Sequence, residues 1–142
     1  MKRILISLFI SMPFLACSQE KETLKEKFAD YFLIGATINQ EDYQIIDKDE
    51  KILKIVSEDF SSLTPENSMK WMHSHPEYSK FTFSNAQKIT DFAKNNDMYL
   101  LGHTLVWHNQ VPEYVSEIND KAKFNLHLKN HIFQMVTRFK GK

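Results

Sequence analysis

The sequence predicts an α/β chain built around a parallel sheet, and three observations lead there. Nearly continuous apolar runs at residues 31–38, 60–64 and 98–103 have the length and composition of strands buried on both faces. The segments that follow each run carry apolar residues at three- and four-residue steps, the period of a helix with one buried face. The resulting order, β-α-β-α-β-α, calls for parallel strands joined by crossover helices. Composition agrees with a globular domain: 142 residues, 42% hydrophobic and 25% charged. With 18 Lys and Arg against 18 Asp and Glu, nothing attracts the chain to nucleic acid or to an acidic polymer.

The first segment stands outside this pattern. Lys2 and Arg3 precede the apolar run Ile4 to Leu15, which ends at Ala16-Cys17, the shape of a bacterial secretory signal and too short for a comfortable membrane span. Cys17 is the single cysteine, so no disulfide framework is possible, and its position resembles that of a lipidated cysteine at a mature N-terminus. Phe14 stands where that pattern usually has leucine, and ordinary secretion with an incidental cysteine is the alternative. The expected organisation is a signal over 1–17, a polar tether over 18–30 and a folded domain over 31–142. A secreted protein, lipid-anchored at the bacterial cell surface or periplasmic, follows from it.

Within the domain, Tyr31 to Ile38 is the expected first strand. Asp47 with Glu50 reads as a helix-capping pair, followed by a stripe of Ile52, Ile55, Val56 and Phe60. Phe60 to Thr64 is the second strand, and its exit carries Pro65, Glu66, Asn67 and Lys70. Ser84 and Gln87 read as a second capping box, Ala86, Ile89, Phe92 and Ala93 as a buried face, and Asn95-Asn96 as the left-handed stop. Met98 to His103 is the third strand. Asp120 opens a last helix with Phe124, Leu128, Ile132, Met135, Val136 and Phe139 on one side, closed by Gly141.

The stretch Leu101 to Pro112 carries the densest chemistry. An apolar strand passes through Gly102, read as a close backbone approach, into His103, Trp107, His108 and Gln110, with Pro112 stopping regular structure. The C-terminal ends of parallel strands are where α/β sheets and barrels bind ligands. An indole face with imidazole and amide hydrogen-bonding groups suits a polyhydroxylated ligand, carbohydrate above all. A tryptophan and two histidines packed into an ordinary core, with satisfied ring nitrogens, explain the residue types equally well. A metal centre at His73, His75, His103 and His108 has no support from cysteine clusters or HExxH-type spacing, and none is expected.

Gly102-His103-Thr104-Leu105-Val106-Trp107-His108-Asn109-Gln110-Val111-Pro112 resembles the third-strand signature of family 10 glycoside hydrolases, the endo-β-1,4-xylanases. Leu63 to Trp71 resembles their second-strand motif, and the likeness runs from about Phe32 to Lys142. The resemblance implies a (β/α)8 barrel, which typically needs ~250 residues, so this chain covers only about its first three βα units. It implies retaining hydrolysis of internal β-1,4 bonds in xylan or xylo-oligosaccharides, without a cofactor. Glu66, Asn67 and Lys70 become sugar-binding residues on the non-reducing side of the cut, Lys70 also holding Glu66 in place. His103 becomes a hydrogen-bonding residue near the scissile bond, Trp107 a wall beside it, Gln110 a further polar contact and His108 a supporting neighbour. Solvated loop and satisfied histidine are the plainer readings of these residues taken singly. Tyr114 stands where the family commonly has tryptophan. Retention needs two carboxyl groups roughly 5 Å apart; Glu66 and Glu113 offer themselves, but the resemblance places both catalytic glutamates beyond Lys142, on the missing C-terminal barrel half. This chain alone is then expected to be inactive, and the alternative reading is a fragment that retains only part of a sugar-binding groove.

Overall fold

The computed structural model describes residues 22–40 and 45–141; the expected signal with Cys17, and the beginning of the tether, lie outside them. A three-stranded sheet in the order β1-β2-β3 organises the chain, with β1 at Gly35–Ile38, β2 at Ser62–Pro65 and β3 at Tyr99–Leu100. All pairing is parallel, from Gly35 opposite Ser62 to Ile38 opposite Pro65 and from Ser62 opposite Tyr99 to Leu63 opposite Leu100. The strands are shorter than the apolar runs that predict them. Only the C-terminal half of the first run pairs, while Tyr31, Phe32 and Leu33 are 79%, 55% and 56% exposed. The expectation of strands buried on both faces therefore fails for β1, whose Gly35 and Thr37 are also exposed.

Ahead of β1, within the stretch expected as a tether, α1 (Leu24–Phe28) is a helix with a complete capping box between Thr23 and Glu26. It is docked on the domain, since Leu24 N donates to Asp59 Oδ1 at 3.2 Å and Lys25 Nζ to the Ser57 carbonyl at 2.5 Å. After β1 come the one-turn α2 (Ile45–Lys48) and α3 (Glu50–Asp59). Asp49 caps α3 by accepting from Ile52 N, displacing the expected Asp47. Asp47 is drawn elsewhere, accepting from Lys88 Nζ at 2.6 Å and Gln40 Nε2 at 2.7 Å. The buried stripe of α3 is Leu53, Val56 and Phe60, and Ile52 and Ile55 turn outward.

The one-turn α4 (Trp71–Ser74) leaves the exit of β2, and α5 (Ser84–Asn95) returns the chain to β3. Its buried face, with Ala86, Ile89, Thr90 and Ala93, is the expected one apart from Phe92, which is partly exposed. Ser84 is already the first helical residue; Phe83 sits at the cap without a side-chain bond, and Gln87 reaches forward to Asp91 and to Arg138. The left-handed residue after α5 is Asp97, φ 53°, in place of the expected Asn95-Asn96. Pro112 starts structure as well as ending it, preceding the one-turn α6 (Glu113–Ser116). The long α7 (Lys121–Phe139) begins as predicted, with Asp120 Oδ1 accepting from Lys123 N at 2.6 Å, and Gly141 takes φ 71° beyond its end.

The core lies between the sheet and α3 and α5, where Ile38, Val56, Leu63, Ile89, Ala93 and Met98 are buried together. A second cluster, Met69, Ala86 and Met135, joins α7 to it. The buried stripe of α7 is His127, His131 and Met135, one turn apart, rotated from the apolar stripe that the spacing suggests; Val136 is 48% exposed. The glycine expectation also moves. A Cβ at Gly102 would meet nothing closer than Met69 Sδ at 3.7 Å, an ordinary contact, whereas one at Gly35 would lie 2.6 Å from Ser62 Oγ. The close approach is at β1, opposite the first residue of β2, where a methyl group would require the Ser62 hydroxyl to move.

Candidate functional site

Both motif segments leave the C-terminal ends of their strands on the same side of the sheet. From β2, Pro65 is fully buried and Glu66 N donates to the Ile38 carbonyl at 2.9 Å, carrying the ladder one residue past the strand. A tight turn follows, closed by Lys70 N to the Asn67 carbonyl at 2.8 Å, and the Lys70 carbonyl accepts from Ser74 N and Oγ to start α4. This turn fixes the side chains of Asn67 and Lys70 against each other. Lys70 Nζ donates to Asn67 Oδ1 at 2.9 Å, and Lys70 is only 8% exposed.

From β3, Leu101 N donates to the Leu63 carbonyl, and residues 102–110 then run without regular structure; the His103–Thr104 peptide is cis. Trp107 comes to lie beside the β2 exit, with Lys70 Nζ 4.9 Å from its ring centroid and the ring of His108 packed edge-on at 5.4 Å. The Lys70 ammonium is held between an amide oxygen and an indole face. Asn67, Lys70, Trp107 and His108 are thus brought together. Gln110 adopts φ 54°, its carbonyl accepts from Met72 N at 2.9 Å, and its side-chain Oε1 is buried without a hydrogen-bond partner among the described residues. Glu66 and His103 are exposed, and their side chains make no hydrogen bond or ion pair among the described residues. The expected Glu66–Lys70 pair is therefore not formed; Lys70 is folded back over Asn67.

Behind these groups lies a stack of rings that sequence reasoning missed. Trp71 and His131 are parallel at 4.3 Å, His131 faces His75 at 5.8 Å, and His75 lies on Phe81 at 3.9 Å. Tyr114 closes it, accepting from Trp71 Nε1 at 3.2 Å and donating to the His75 carbonyl at 3.3 Å. The hydroxyl that distinguishes Tyr114 from the usual tryptophan is therefore turned inward, where burial raises its pKa. His75 and His131 are both sealed from solvent. A carbonyl oxygen can only accept, so each donates from Nε2, His75 to Tyr78 at 3.1 Å and His131 to Leu105 at 2.9 Å. Each Nδ1 is buried with no partner among the described residues, which suits the neutral ring. Burial is the main cause that lowers both pKa values, that of His131 to about 4 against the pull of its Leu105 bond, with His75 pushing the same way. The signal for this stack was present as His127, His131 and Met135 at four-residue steps, but histidine does not count as apolar in a periodicity reading. Among the described residues no three His, Cys, Asp or Glu side chains gather as a metal site would require.

Polar and aromatic groups converging where parallel strands end define the class, an α/β protein with its site at the strands' C-terminal edge. The sequence profile of glycosyl hydrolase family 10 matches residues 23–142, and the chain belongs to that family. It is 43% identical to a beta-1,4-xylanase of Dictyoglomus thermophilum over 142 aligned positions, covering 98% of this chain and 38% of the relative. With endo-1,4-beta-xylanase A of Caldicellulosiruptor saccharolyticus the identity is 38%, covering 83% and 34%. The crystal structure of xylanase 10B from Thermotoga petrophila RKU-1 in complex with xylobiose matches with a TM-score of 0.78 at 35% identity, covering 86% of this chain and 38% of that one. The three βα units are accordingly the N-terminal portion of a (β/α)8 barrel, and the chain spans little more than a third of these relatives' lengths.

Proposed function

We propose that this chain forms the sugar-gripping N-terminal part of an endo-1,4-β-xylanase that hydrolyses internal xylosidic bonds with retention. The observation that supports this reading most is the meeting of Asn67, Lys70 and Trp107 across the two strand exits, beside the exposed carboxylate of Glu66 and imidazole of His103. Such a surface offers a charged donor, an acceptor and a flat apolar wall to the hydroxyls and ring face of a pyranose. Glu66 binds and does not react, and the two carboxyl groups of the displacement come from the remainder of the barrel. His108 supports Trp107 edge-on, and Gln110 contributes chiefly through its backbone tie to Met72.

The test joins residues 23–142 to the remaining strands of the Dictyoglomus relative. This barrel should cleave xylan, while the 142-residue chain alone, as the control, should release no reducing sugar. Glu66→Gln should lower turnover of xylan by about 1–3 kcal/mol of lost binding. Azide replaces a missing acid/base group by attacking the glycosyl-enzyme intermediate, so rescue of Glu66→Gln with formation of a glycosyl azide would show that Glu66 is a catalytic group.

The likeness of the first 17 residues to a lipoprotein signal supports secretion followed by lipidation at Cys17. Expressed as the full precursor in a bacterium that processes lipoproteins, Cys17→Ser should move the protein from the membrane fraction to the soluble one. Unchanged fractionation would refute the anchor.

A further inference from the structure

We infer that His131 is a positioning residue of this groove, an imidazole on α7 that pins the β3 exit segment against the β2 exit segment so that Trp107 stands over Lys70. Its consequence for binding rests on the sugar-groove reading, but the anchor itself stands on separate geometry. Residues 102–109 make one hydrogen bond among the described residues, the Leu105 carbonyl accepting from His131 Nε2. That bond falls in the middle of the segment, two residues before Trp107. The next tie is at its far end, where Met72 N meets the Gln110 carbonyl.

The other side of His131 fixes the opposite segment. Its ring lies parallel to Trp71 at 4.3 Å with an interplanar angle of 4°, and Trp71 follows Lys70 directly. One fully buried side chain therefore touches the backbone of one motif segment and the ring neighbouring the critical ammonium of the other. The 4.9 Å contact of Lys70 Nζ with Trp107 is the point where the two segments meet in front of it. A segment with so few bonds of its own has many conformations to lose when sugar binds, and a fixed anchor removes part of that cost beforehand.

The two roles of the imidazole can be separated chemically. His131→Phe keeps a ring to stack on Trp71 and deletes the donor. His131→Gln keeps an N–H at about the reach of Nε2 and deletes the ring. In the joined barrel, the ring current of Trp107 should shift the Lys70 methylene protons upfield; the Phe variant should lose that shift and the Gln variant should keep it. Xylobiose affinity should follow, falling about tenfold in the Phe variant and returning to within about threefold in the Gln variant. Retention of the Lys70 shift in His131→Phe, or loss tracking thermal stability equally in both variants, would overturn the inference. Should His131→Phe not fold, the ring nitrogens of the parent decide, because an Nδ1–H tautomer cannot donate to Leu105 and would sink it, whereas Nε2–H supports it. A parent barrel that keeps the Lys70 shift yet ignores xylobiose would refute the sugar reading while leaving the anchor standing.

Discussion

Acid should loosen this domain at the ring stack, and the structure gives the size of the effect. His131 is held neutral in the fold with a pKa lowered to about 4, while in the unfolded chain it has its ordinary value of 6.5. Between those two values the unfolded chain binds a proton that the folded chain refuses, so stability is complete above about pH 6.5 and declines as the pH falls. The loss levels off below about pH 4. At ~1.4 kcal/mol for each pH unit between the two values, the whole window amounts to on the order of 3 kcal/mol. No discount for solvent screening applies, because His131 is 0% exposed. His75, also lowered mainly by burial, adds in the same direction. Against the 5–15 kcal/mol typical of a folded domain this is a substantial fraction. The rings against His131 are Trp71 at 4.3 Å and His75 at 5.8 Å, and among the described residues the one titratable neighbour that acts on its charge is His75, which disfavours an imidazolium. Asp47, held low chiefly by its bond from Lys88, loses its contribution only below the ordinary carboxylate range. Ring-proton NMR titration of the joined barrel should show His131 charging well below its ordinary value of 6.5. Urea midpoints should fall between pH 7 and pH 5, with a shallower fall in His131→Phe. A ring that titrates near 6.5, or equal slopes in parent and variant, would refute the reasoning.

Two further outcomes follow from packing and capping. Leu63 is 0% exposed at the centre of β2, so Leu63→Ala should destabilise by about 2–5 kcal/mol in urea unfolding, whereas Phe133→Ala, at a site 66% exposed, should cost far less when the later strands are absent. Asp120→Ala removes the acceptor that closes the first turn of α7 and should cost about 1 kcal/mol, with Asp120→Asn or Ser recovering most of it in the same assay.

The order of elements was legible because each strand run and each helix stripe is a statement about period, and period survives without knowledge of the partner. The two loop motifs were legible only through their resemblance to family 10 glycoside hydrolases; the residues themselves placed Pro65, Gly102 and Pro112 at the strand exits and left the roles open. What failed was the choice between local options that tertiary contacts decide. Asp47 and Ser84 each sat in an acceptable capping pattern, but Lys88 and Gln40 compete for the Asp47 carboxylate, and α5 starts one residue earlier than Ser84 would allow. Lys70 was expected to hold Glu66, yet its stem is buried and its ammonium ends on Asn67 and Trp107. His131 was invisible because a polar side chain on a helix reads as outward-facing until a carbonyl and an indole are found waiting for it.

The contact between Gly35 and Ser62 carries a consequence for how this sequence can vary. The two residues are opposite each other in the β1–β2 register, and the space a methyl group at position 35 would need is already taken by Ser62 Oγ at 2.6 Å, while Ser62 Cβ would be at 3.9 Å. Positions 35 and 62 therefore share a single allotment of volume, divided as nothing on one side and a hydroxyl on the other. An alanine at 35 demands that the hydroxyl swing aside, but the same alanine beside an alanine at 62 meets only ordinary van der Waals contact. An alanine at 62 alone is free of this conflict, whereas an alanine at 35 is tolerated better once the Ser62 hydroxyl is gone, which makes the two a non-additive couple at the first rung of the sheet.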